Sequence, residues 1–182
     1  MGVNNMGWVA GVDGCRSGWF AIFSKLSNDI MHWDVFPTLE AVISHDLAPI
    51  IVAVDIPIGL LDAAKRGGRD CDIEARKRLG SRRGSSVFPP PVRATLDSDD
   101  YAEANVINRA SSDVGIGLSK QCYSIIPKIR EVDLFINPDL QERVKEVHPE
   151  ICFWKMADGV AMNFSKKKAK GFHERIDLLT SV

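Results

Sequence analysis

The run Ile50-Ile-Val-Ala-Val54 constrains the fold more than any other part of this chain. Every residue in it is apolar, without the alternation of a strand that has one wet face, so it reads as a strand buried on both faces. Strands of that kind belong to parallel sheets covered by helices. The run ends in Asp55-Ile-Pro-Ile-Gly59, and an earlier apolar run, Val9-Ala-Gly-Val12, ends in Asp13-Gly14. Ligands of open α/β sheets bind at the carboxyl ends of strands, so two aspartates in these positions suggest a carboxylate metal site. The alternative is that each aspartate caps a turn, because Asp-Gly and Pro-Ile-Gly are ordinary turn chemistry.

The neighbouring patterns give the sheet an order. Residues 8–13 read as a first strand, 14–18 as a tight turn, 19–25 as a second strand returning antiparallel, and 30–36 as a third. Leu39, Val42, Ile43 and Leu47 have helical spacing, with Thr38 as N-cap. Strand, strand, strand, helix, strand is the opening of a ribonuclease H-like sheet, an α/β fold in which strand four lies parallel beside strand one. A fifth strand over residues 143–153 completes a mixed sheet of order 3-2-1-4-5 flanked by helices. Residues from about 61 to 140, with their Gly-Gly and Pro-Pro-Pro runs and alternating charge, break this pattern and read as a helical and loop insertion after strand four. Within it, residues 70–79 and 101–111 form helices, residues 81–93 a basic loop stiffened by Pro89, Pro90 and Pro91, and a further helix follows Pro127.

The chain has 182 residues, which suits a single domain with one core. Its 45% hydrophobic and 26% charged content is that of an ordinary soluble protein. No apolar stretch approaches a membrane span and the N-terminus lacks a leader pattern, so the expected compartment is the cytoplasm. Cys15, Cys71, Cys122 and Cys152 are scattered without a CxxC pair, which argues against a zinc knuckle and against a disulfide framework. The four tryptophans, Trp8, Trp19, Trp33 and Trp154, fall in expected strands or at their edges and read as core rather than as base-stacking platforms. Between Lys65 and Arg93 nine Lys or Arg face three acids, and 165–170 is a second basic cluster. Either suits a polyanion, and either is equally a solvated face.

On a fifth strand, Glu146, His148 and Glu150 would share one face unless Pro149 introduces a bulge. They would converge with Asp13 and Asp55 on one or two cations. Mg2+, or Mn2+ in its place, fits carboxylates, waters and substrate phosphates best.

These stretches together resemble the uncharacterised family known as domain of unknown function 429, whose members are predicted ribonuclease H-like nucleases. The resemblance rests on Gly11-Val-Asp-Gly-Cys-Arg-Ser-Gly-Trp19, Val54-Asp-Ile-Pro-Ile-Gly-Leu60, Arg69-Asp-Cys-Asp72 with Ala75-Arg76, and Ser86-Val-Phe-Pro-Pro-Pro-Val-Arg93. It continues in Ser119-Lys-Gln121, Pro127-Lys-Ile-Arg-Glu-Val-Asp133 and Glu146-Val-His-Pro-Glu150. It implies that Asp13 and Asp55 are metal-binding acids, with Glu146 as a further ligand and His148 and Glu150 as further catalytic candidates. It also implies that Arg69, Asp72 and Arg76 form a cluster, and that Arg93, Lys120 and Gln121 face a substrate phosphate. The alternative for these inserted residues is that they hold loops together through ion pairs. Against the pattern, the helix that normally brings a final acid to the strand aspartates would have to come from residues 166–179, where only Glu174 and Asp177 are available. The expectation is therefore a chain short of its family's C-terminal helix.

Three functions fit these readings. The first is a metal-dependent nuclease acting on nucleic acid. The second is a non-catalytic module that binds nucleic acid or protein through the basic insertion. The third is an actin-like ATP-dependent phosphotransferase, suggested by Gly11-Val-Asp13-Gly with Ser17 but lacking a second phosphate loop.

Overall fold

The computed structural model describes residues 7–181. In chain order it contains β1 (Trp8–Cys15), β2 (Gly18–Lys25), β3 (Met31–Phe36), α1 (Leu39–Ile43), β4 (Ile51–Val54), α2 (Asp70–Arg83), α3 (Tyr101–Ala110), α4 (Lys120–Ser124), α5 (Ile126–Phe135), α6 (Pro138–Gln141), β5 (Val144–Glu146), α7 (Pro149–Met156) and α8 (Ala169–Thr180). Among the described residues no helix is long and apolar enough to cross a membrane. The chain divides into two compact units. One holds the described residues to Gly59 together with Pro127–Val147, and the other holds Leu60–Ile126 with the residues from His148 onward.

The first unit is a five-stranded mixed sheet of order β3-β2-β1-β4-β5. β1 pairs antiparallel with β2 and parallel with β4, and β4 pairs parallel with β5. The order is the one expected of a ribonuclease H-like sheet. One face carries Ala10, Val12, Trp19, Ala21, Phe23, Val52, Val54 and Val144, all buried. Leu39, Val42 and Ile43 of α1 and Ile129 and Val132 of α5 extend this core. Thr38 caps α1 by accepting the Ala41 N–H at 3.2 Å. The β1–β2 turn needs Gly18, whose φ is +136° and whose place could not take a Cβ, because the Phe36 carbonyl oxygen occupies it.

A carboxylate ties this unit together. Glu131 on α5 accepts both the Trp19 indole N–H and the Leu39 amide N–H through Oε1, each at 2.8 Å. Lys128, one helical turn earlier, lies 4.6 Å from the Trp19 ring and 3.8 Å from the other oxygen of Glu131.

The second unit is helical. α2 breaks at Gly80, whose φ of +58° is not helical, so its regular part ends at Leu79 as the sequence suggested. Asn108 on α3 is buried and holds two loops, accepting the Val92 N–H at 3.0 Å and donating to the Ile116 carbonyl at 2.8 Å. α7 packs against α2 and α8.

Three sequence expectations need correction. The fifth strand does not run over 143–153; β5 stops at Glu146, and residues from Pro149 form α7 instead. Proline cannot donate to a sheet ladder but is suited to a first helical position, and His148 supplies the cap. Trp154 consequently sits on a helix, where the Arg78 guanidinium lies 5.1 Å from its ring. Trp33 is a strand residue but is not core, being 66% exposed.

Candidate functional site

Parallel pairing places Val12 opposite Val54, and both are buried on the helix-covered side of the sheet. The ladder continues one bond further, from the Asp55 N–H to the Val12 carbonyl at 3.0 Å. Side chains alternate along strands, so Asp13 and Asp55, each one residue beyond that pair, emerge together on the opposite side at neighbouring strand ends. Asp13 and Asp55 therefore follow neighbouring positions of two paired strands, whose backbones lie about 4.8 Å apart in a sheet. Asp13 is exposed and Asp55 half-buried. The same side of β1 carries Gly11, and a Cβ built there would meet nothing within 4 Å. The surface beside the two aspartates is therefore open.

Glu146 is brought to the same end of the sheet with a different task. Its register partner is Val54, which puts it on the side opposite Asp13 and Asp55, and its carboxylate accepts the Ile58 N–H at 2.8 Å. It thus closes the turn that follows Asp55. His148 and Glu150 belong to the second unit and have partners there. His148 is the N-cap of α7: its Nδ1 accepts the Glu150 N–H at 3.3 Å, and Nε2 lies 3.2 Å from the Ser86 carbonyl. An acceptor role for Nδ1 assigns the proton to Nε2, which then donates to Ser86. Glu150 is buried, with its two oxygens 2.7 and 2.8 Å from Arg175 Nη2. Arg175 also donates to the Gly171 and Phe164 carbonyls, so this pair seats α8 against α7.

A family model described as a protein of unknown function, DUF429, matches residues 11–182. The chain belongs to the DUF429 family. Comparison with curated proteins gives no match, and neither does comparison with solved structures.

Of the basic residues singled out in this DUF429 protein, two are committed to its own scaffold. Arg69 is buried and bonds Asp72 through Nε and Nη2, while Asp72 accepts the Arg69 amide in return. Arg76 donates to the carbonyls of Gly67 and Val87 and so pins the Gly-Gly turn to the loop before Pro89. Arg78 is shared between Glu74, at 3.0 Å, and Trp154. Arg93, Lys120 and Gln121 are exposed. Between the Gly68 turn and the triple proline lies a cavity of about 110 Å3, lined by Leu61, Lys65, Phe88, Pro89, Asn108 and Leu118 among others. None of the four cysteines is in a disulfide. Burial first, and then the charge of Asp72, push the Cys122 thiol up to about 12.

Among the described residues, no group of three or more His, Cys, Asp or Glu side chains is arranged to hold a metal ion. Asp13 and Asp55 are a pair. The position of each at the end of an apolar strand is as the sequence suggests. The sequence does not reveal the Glu131 acceptor, whose signal is confined to a helical pattern, nor Arg175, which reads as one more surface charge until Glu150 is found beside it.

Proposed function

We propose that this protein hydrolyses phosphodiester bonds of nucleic acid with a divalent cation, Mg2+ or Mn2+, held by Asp13 and Asp55. The parallel register of β1 and β4 carries the reading, because it delivers both carboxylates to one side of the sheet at adjacent strand ends. The donor set fits the ion: it consists of hard carboxylate oxygens, and Mg2+ commonly takes one or two carboxylates and completes its shell with waters and substrate phosphates. When bound, such a cation supplies electrophilic stabilisation of a phosphoryl oxygen and an acidified water. The chain's own part is to hold the two carboxylates at the spacing of paired strands, and to leave room beside Gly11 for a polymeric substrate. On the second unit, exposed Arg93, Lys120 and Gln121 are suited to backbone phosphates, contacts that position a nucleic acid without reading its bases.

The test is cleavage of labelled single- and double-stranded DNA and RNA with added Mg2+ or Mn2+. Cleavage should stop in chelator and fall roughly 100-fold or more in Asp13→Asn and in Asp55→Asn, a loss of about 3 kcal/mol of transition-state stabilisation. Cleavage that survives both chelator and the substitutions would overturn the reading.

A second reading, a binding module without catalysis, is favoured by the engagement of Glu146 with Ile58 and of Glu150 with Arg175. It requires nucleic-acid affinity that persists in chelator and in Asp13→Asn. In either case affinity should fall steeply with salt, because phosphate contacts release counterions.

A further inference from the structure

We propose that β3 is the edge through which two copies of this chain pair, antiparallel and in one register, about a two-fold axis at Trp33. Among the described residues β3 pairs only with β2 and ends the sheet. Which of its main-chain groups point outward follows from the hairpin. The Lys25 N–H donates to the Ile30 carbonyl at 3.0 Å, so Lys25 and Ile30 are a hydrogen-bonded pair. Alternation then turns the main chain of His32, Asp34 and Phe36 toward β2 and that of Met31, Trp33 and Val35 outward. The Val35 N–H is met within the chain by Asp34 Oδ1 at 2.7 Å, a contact that pairing exchanges for the Met31 carbonyl of the second copy, releasing the Asp34 carboxylate to face His32.

An outward edge of this kind is a template for another strand, and the side chains on it are self-complementary in one register. With Trp33 opposite its own copy, Met31 falls opposite Val35 and His32 opposite Asp34. Trp33 exchanges both main-chain bonds with its copy, and Met31 with Val35. His32 and Asp34 then form the more closely spaced, non-hydrogen-bonded pair, a favourable cross-strand match of opposite character. Pairing centred on Asp34 would set two carboxylates against each other, and pairing centred on His32 would oppose two imidazoles. Shifting by a single residue would mismatch the faces. The apolar side of the edge also calls for cover: Met31 is 68% exposed, Trp33 66% and Val35 41%, beside Ile22 at 42%. The Trp33 ring lies 5.9 Å from Phe20, so pairing would join two such bands into one surface. A second copy is the occupant that satisfies both the main-chain pattern and the His32–Asp34 match.

The test is sedimentation equilibrium of the full chain over a range of concentrations, with amide exchange at both ends of the range. A concentration-dependent dimer is expected, in which the Met31 and Trp33 amides gain protection. Trp33→Lys should give a folded monomer. His32→Asp should weaken the dimer about tenfold by placing carboxylates opposite one another, and adding Asp34→His should restore it. The proposal fails if the wild-type chain stays monomeric throughout, if Trp33→Lys leaves the dimer intact, or if the exchanged pair does not recover what His32→Asp loses while both variants keep the wild-type circular dichroism.

Discussion

Replacing Glu131 by alanine would strand two donors at once, the indole N–H of fully buried Trp19 and the Leu39 amide that opens α1. A buried donor left without a partner costs about 1 to 3 kcal/mol. Glu131→Ala should therefore destabilise the chain by about 2 to 4 kcal/mol in urea unfolding, while Glu131→Gln, which keeps an acceptor, should cost less. At the same scale, Cys122 should resist alkylation at neutral pH in the folded protein, whereas exposed Cys71 and Cys152 react. Because its folded value is raised to about 12, the stability that this thiol confers is complete below the ordinary thiol range and is lost as pH climbs through the interval toward 12. Mass spectrometry of labelled peptides checks the reactivity. The sequence made Asp13 and Asp55 legible, because a polar residue ending an apolar strand is a local signal. Glu131 was not legible, since its partner Trp19 lies 112 residues away and its own neighbourhood is an ordinary helix.

Among the elements, α8 offers a pH-dependent prediction. Burial, the largest single influence on Glu174, raises its carboxyl value. Hydrogen bonds from the amides of Asn163 and Phe164 and from the Asn163 side chain, with the charge of Arg175, outweigh it and hold the value below the usual range. A lowered folded value means the contribution is full above the unfolded value, about 4.3, and is lost as pH falls through the folded one. The protection of the Asn163 and Phe164 amides, measured relative to intrinsic exchange rates, should fall as pH drops below the ordinary carboxylate range, and Glu174→Gln should remove most of that pH dependence. β1 to β4 and α1 were readable because apolar runs, turn residues and the Thr38 cap all agreed. β5 and α7 were misread, since Glu146, His148 and Glu150 alternate like a strand. Pro149 decides between the two states in favour of helix, with His148 and Glu150 completing its first turn. α4 and α6 were missed because each is a single short turn whose signal is a cap, Ser119 and Asn137 respectively.

For the molecule as a whole, the sheet order could be read in advance because each connection had one short solution: hairpins between β1, β2 and β3, then a crossover through α1 that places β4 parallel to β1. The second unit was less legible, since it joins residues on both sides of β5 and three of the nine cations in its basic run, Arg69, Arg76 and Arg78, are engaged internally. That internal use leaves Asp13 and Asp55 as the feature on which the functional account stands. The most direct test is a titration of the full chain with Mn2+, following amide signals by nuclear magnetic resonance in the wild type and in the Asp13→Asn, Asp55→Asn double variant. The account predicts paramagnetic broadening centred on residues 11–14 and 53–56 that saturates, is competed by Mg2+ and disappears in the double variant. Broadening that is absent at those strand ends, or that persists there without the two carboxylates, would contradict it.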